Sequence, residues 1–75
     1  MAAPLSGREI EILRYVALGE TSKEIAMRLG IRERTVNWHL ARAYEKLGAT
    51  SRAEAVAIAI EAGIVRRATD TRTGP

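Results

Sequence analysis

There is no cysteine anywhere in the chain, so neither a disulfide nor a thiolate-bound metal can supplement its core. Phenylalanine is absent too, and one Trp and two Tyr are the only aromatic residues. Packing therefore falls to Leu, Ile, Val and Ala, a supply that suits four helices better than a sheet. No apolar run approaches the ~20 residues that span a bilayer. The opening Met1-Ala2-Ala3-Pro4-Leu5-Ser6-Gly7 also lacks the charged-then-apolar order of a signal peptide. A soluble, cytoplasmic protein with no membrane partner is expected. With a single His and scattered carboxylates, a metal site has nothing to be built from. No nucleophile, base and orienting group stand at usable spacing, so the chain does not read as an enzyme and no cofactor or bound small molecule is expected.

What is present is one small domain of 75 residues, able to bury only about 60% of its unfolded-chain surface. Its net charge is +3 and its pI about 10.0, a modest basic excess that biases it toward an anionic partner.

Residues 1–4 form a loose lead-in. In Leu5-Ser6-Gly7-Arg8-Glu9-Ile10, Ser6 and Glu9 can exchange bonds with backbone donors as a capping box, and Leu5 and Ile10 form a hydrophobic staple. A first helix should thus begin at Gly7. It has an inner face of Ile10, Leu13 and Ala17 flanked by Ile12, Val16 and Leu18, leaves Arg8, Glu11 and Arg14 wet, and stops at Gly19. Thr21-Ser22-Lys23-Glu24 is a second capping box, opening a short helix with Ile25, Ala26 and Leu29 inward and Gly30 as its stop. A third helix over Glu33–Leu47, ended by Gly48, follows after a tight turn. A short helix, a Gly turn and a longer helix make the helix-turn-helix pattern. Arg32 sits at the N-cap of this third helix, where its side chain cannot accept a backbone N–H. Ser51-Arg52-Ala53-Glu54 reads as a third capping box, opening a helix with Ala55, Val56, Ala59 and Ile60 on one side that ends at Gly63. Ile64 and Val65 should fold back on the core, and residues 66–75, polar and without periodicity, should be disordered.

The third helix is the element the others serve. Val36, Leu40, Ala43 and Leu47 recur at i, i+4, i+7 and i+11 and define its seat. With Val36 at 0° and roughly 100° per residue, Arg34, Trp38, Ala41 and Arg42 fall between about 140° and 240°, Thr35 near 260° and Asn37 near 100°. This outer side carries guanidiniums, an indole, hydrogen-bonding groups and one small gap, a set suited to base-pair edges and their flanking phosphates. Glu45 lies on it nearly three turns after Arg34, so the N-terminal half is the part able to meet a polyanion.

The run Leu5-Ser6-Gly7-Arg8-Glu9-Ile10-Glu11-Ile12-Leu13, then Gly19 with Ser22-Lys23-Glu24-Ile25-Ala26, Leu29-Gly30-Ile31, Thr35-Val36 with His39, Lys46-Leu47, Arg52 with Ala55-Val56, and Gly63-Ile64 resembles the LuxR-type (LuxR/FixJ) helix-turn-helix family of bacterial transcriptional regulators, over Leu5 to Val65. The stretch Thr35-Val36-Asn37-Trp38-His39-Leu40 with Lys46-Leu47-Gly48 is most similar to the autoinducer-receptor branch. The resemblance implies an all-α, four-helix bundle with its third helix in the major groove and its fourth forming a homodimer contact. Carried over by position, it implies base reading at Asn37, Trp38 and Ala41 and phosphate contacts at Thr21 or Ser22, Lys23, Thr35 and Lys46. Ser22, Arg32, Asn37 and Arg42 depart from the Asn, Ser, Lys and Asn common at those places. The departures at 37 and 42 bear on which bases are read.

Each of these residues has a plainer use. Asn37 can pair bidentately with adenine and an Arg with guanine, each worth roughly 1–3 kcal/mol of discrimination, but a surface Asn is ordinarily just solvated. Arg42 is a candidate for a base, for a phosphate, or for pairing with Glu45 or Glu54, and Arg34 joins the phosphate set. Trp38, on the side away from the core, either meets a partner such as a thymine methyl or stands in solvent. His39 falls at the core's edge, suited to packing or to a phosphate. Lys23 adds positive charge at a helix start, unfavourable for the helix alone and favourable beside a phosphate. The Ala-rich fourth helix either covers a small core or carries a dimer contact through Ala53 and Ala57. Glu9 and Arg52, both at helix starts, are expected either to form an ion pair from the first helix to the fourth or to stand as two solvated side chains.

The leading expectation is sequence-specific binding of double-stranded DNA as a homodimer, positioning a regulator near RNA polymerase. The rival is a protein-interaction helical module without specific DNA binding.

Overall fold

A hydroxyl side chain caps three of the four helix starts in a computed structural model of the chain that describes residues 4–66. The helices are α1 (Gly7–Ala17), α2 (Ser22–Leu29), α3 (Glu33–Leu47) and α4 (Arg52–Glu61), with no strand among the described residues. The expected lead-in and disordered tail fall largely on residues 1–3 and 67–75, outside the described residues.

At Ser6 and at Thr21 the box is closed in both directions. Each hydroxyl accepts an N–H at 3.1 Å from the glutamate three residues on, and that glutamate's carboxylate accepts the cap's own N–H. The third box is only half formed. Ser51 Oγ accepts the Glu54 N–H, but the Glu54 carboxylate takes the N–H and the hydroxyl of Thr50 instead, at 2.7 and 2.8 Å. The cause is the backbone: Ser51 has φ −150°, against −76° at Ser6 and −80° at Thr21, and this extension turns its own N–H away from the helix.

Ile12, Leu13 and Val16 of α1, Ile25 and Ala26 of α2, Val36, Leu40 and Ala43 of α3, and Ala59 of α4 form the buried core, with Val65 folded back onto it. Ile64 and Val65 are held there by N–H bonds to the Ala59 carbonyl. Leu18 departs from expectation. It lies beyond the end of α1 and is 56% exposed, because about 140° of helical rotation separates it from Leu13. Glu9, by contrast, lies about 40° of helical rotation from Leu13 and is buried on the inner stripe.

α3 packs chiefly on α2 and α1. Gly30, at φ 70°, makes the turn between α2 and α3 in a left-handed conformation that side chains with a Cβ rarely adopt. The Gly30 and Ile31 N–H groups both reach back to the Ala26 carbonyl, which closes the end of α2. Three buried α3 residues hold the helix by one side, and the opposite side is left outward.

Candidate nucleic-acid interface

Arg34, Asn37, Trp38, Ala41 and Arg42 all lie exposed on the outward side of α3, and Thr35 is half-buried at its edge. The indole of Trp38 is 56% exposed, a costly position for a large apolar ring in water. His39 meets its edge at 5.0 Å between ring centroids, and the Arg42 guanidinium lies over it at 5.1 Å. Trp38 and Arg42 are four residues apart, the spacing at which helix side chains touch.

The start of α3 is open. Arg32 makes no side-chain cap bond, and its carbonyl accepts the first helical N–H groups, from Thr35 and Val36. At the start of α2, Lys23 and Thr21 are exposed and Ser22 half-buried. Thr21 is committed on both its N–H and its hydroxyl acceptor side to Glu24. Its hydroxyl proton remains available to a phosphate oxygen.

The far end of the α3 face is tied to the protein. Glu9 of α1 is 2% exposed, and its carboxylate takes the Lys46 ammonium at 2.9 Å and faces Arg42 Nε at 3.7 Å. Burial by itself pushes the Glu9 carboxyl up. The Ser6 N–H, the Lys46 ammonium and the Arg42 guanidinium outweigh that and hold it below the ordinary glutamate range. The expected pairing of Glu9 with Arg52 is therefore overturned. Glu9 points inward against α3, and the Arg52 guanidinium bonds instead to the Glu20 carbonyl. Glu20 in turn accepts Arg28 Nε at 3.1 Å, and Arg28 lies over the Tyr15 ring at 4.9 Å. Arg42 pairs with Glu9 rather than with Glu45 or Glu54. Lys46, expected at a phosphate, gives one of its three donors to Glu9 and is half-buried.

Glu9 is the residue whose part sequence reasoning missed. The signal was there: Glu9, Ile12, Leu13 and Val16 stand at i, i+3, i+4 and i+7, and a carboxylate on such an apolar stripe must find a cation inside. On α4, Ala53 and Ala57 lie exposed, away from the buried Ala55 and Ala59.

Comparison with known proteins places this arrangement. Residues 3–59 match the family model described as bacterial regulatory proteins of the luxR family. The chain is 49% identical over 61 residues to the transcriptional regulatory protein YdfI of Bacillus subtilis, covering 81% of this chain and 29% of that protein. It is 48% identical over 62 residues to the quorum sensing-dependent transcriptional regulator RpaR of Rhodopseudomonas palustris, covering 83% and 26%. Because the two identities are nearly equal, they do not divide the chain between an autoinducer-receptor branch and others. The solved transcription factor GerE superimposes with a TM-score of 0.77 at 33% identity, over 81% of this chain and 91% of that one. The chain spans between a quarter and a third of the length of these two curated relatives. Its relatives are transcriptional regulators rather than enzymes, and the chain belongs to the LuxR family of bacterial regulatory proteins, as a helix-turn-helix domain.

Proposed function

We propose that residues 5–65 bind double-stranded DNA sequence-specifically, as a homodimer on a two-fold related site, with α3 in the major groove and α4 joining the two copies. The observation that carries this reading is the outward side of α3. A polar and aromatic surface of Arg34, Asn37, Trp38, Ala41 and Arg42 stands over a seat of buried Val36, Leu40 and Ala43, and its N-terminal half is the part nearest an open helix start.

In this reading Asn37 takes an adenine edge, the Trp38 indole packs on a thymine methyl, Ala41 leaves room for a base pair and Arg42 reaches a guanine. Thr21, Ser22, Lys23, Arg34, Thr35 and the free donors of Lys46 hold phosphates and set the register. Exposed Ala53 and Ala57 let a second α4 come close. The domain acts in the bacterial cytoplasm and positions a regulator within reach of RNA polymerase.

Selection of bound duplexes from a randomised DNA pool tests the whole reading. A palindromic consensus with half-sites about one helical turn apart is expected. Failure to bind any duplex at low salt would refute it and favour a protein-interaction module.

A further inference from the structure

We infer that Glu9 is a positioning residue for base recognition: with the Trp38 indole it holds the Arg42 guanidinium in place to read a guanine. The inference rests on the DNA-binding reading, in which Arg42 reads a guanine, and goes beyond it by giving a purpose to a buried carboxylate on another helix.

Three observations converge on Arg42. Its Nε faces Glu9 Oε2 at 3.7 Å. Its guanidinium lies over the indole at 5.1 Å. Its side chain is nevertheless 49% exposed, and its two terminal nitrogens make no hydrogen bond to the described residues. A guanidinium approached at Nε and covered on one side presents its remaining planar fork outward, the shape that pairs with guanine O6 and N7.

Glu9 is suited to the task because it is itself fixed. Oε1 accepts the Ser6 N–H and the Lys46 ammonium, each at 2.9 Å, which leaves Oε2 to face Arg42. Lys46 also offsets the carboxylate's charge, so the device does not repel DNA. An arginine with no such support gives up its rotamer freedom when it meets a base. Arg34, on the same side of α3, is unsupported among the described residues and serves as an internal control.

The test begins with 15N relaxation at the arginine Nε groups of the 75-residue chain without DNA. Arg42 is expected to be more restricted than Arg34, and equal mobility overturns the inference without any Glu9 variant. In duplexes selected from the random pool, one guanine per half-site should matter, its replacement by adenine weakening wild-type binding roughly tenfold or more. Arg42→Lys keeps the charge and should lose that preference while retaining affinity for a random duplex. Glu9→Gln, where it folds, should lose the preference several-fold with no loss of random-duplex affinity, and an unaltered preference overturns the inference. Should Glu9→Gln fail to fold, the relaxation comparison and Arg42→Lys decide. Binding whose base preference is indifferent to Arg42→Lys removes this inference alone, whereas no binding to any duplex removes the DNA reading with it.

Discussion

The outward side of α3 changes character along its length. Toward the N-terminus, Arg34, Asn37 and Ala41 have no ion pair with the described residues, and the helix start behind them lacks a side-chain cap. Toward the C-terminus, Arg42 and Lys46 are drawn to one buried carboxylate. The first part is tied to no charge among the described residues; the second belongs as much to the fold as to the surface. Binding and stability should therefore come apart along a single helix, and mutations can show where the division falls.

The largest effect is expected at the tied end. Glu9→Ala removes the reciprocal half of the α1 capping box and strands Lys46, whose side chain is only 17% exposed. Breaking such a pair from one side should cost about 3–5 kcal/mol in denaturant unfolding. Wild-type stability in this variant would show that the tie contributes nothing. The matching change at the free end, Asn37→Ala, should stay within about 0.5 kcal/mol of wild type.

Acid should weaken the same tie without removing a side chain. Glu9 is held below the ordinary glutamate range when folded, so the unfolded chain takes up a proton at higher pH than the folded one does. Its contribution is then complete above its unfolded value and is lost as pH falls below about 4 and passes through the lower folded value. The difference in unfolding free energy between wild type and Glu9→Gln should be constant from neutral to mildly acidic pH and narrow below that. A difference that grows on acidification would contradict the assignment.

At the free end the readout is DNA. Asn37→Ala should change the preference at one base pair by roughly 1–3 kcal/mol. Lys23→Ala should weaken specific and random duplexes alike and reduce the salt slope by about 1. Equal losses on both kinds of duplex for both variants would mean that Asn37 does not read a base.

How much of this was legible in the sequence follows from how local each feature is. The helix bounds at Gly7 and Leu47 and the left-handed stops at Gly30 and Gly48 were readable because caps and glycine turns are decided within four residues of chain. The seat of α3 was readable from its period alone. What could not be read was which partner each charge would find. Glu9 and Lys46 are 37 residues apart and Arg52 and Glu20 are 32 apart, so both pairings depend on how the helices cross. The half-formed box at Ser51 was hidden for a related reason. The residue pattern matched the other two, and only the extended φ of Ser51 diverted Glu54 to Thr50.

The smallest expected effect lies at Arg32, where the two ends of α3 can be made more alike. Ser6, Thr21 and Ser51 each accept an N–H from the third residue of their helix, whereas Arg32 supplies no such acceptor although its backbone, at φ −79° and ψ 150°, already has cap geometry. Arg32→Ser should thus stabilise the domain by about 0.5–1 kcal/mol in thermal or denaturant unfolding, with no rearrangement required. If the open start serves a phosphate, the same substitution should leave base preference untouched while lowering affinity for every duplex slightly, since one positive charge is lost and one N–H is already taken. A gain in stability with no change in affinity would place the phosphate contacts at α2 and along α3, and would make the missing cap a local imperfection rather than part of the interface.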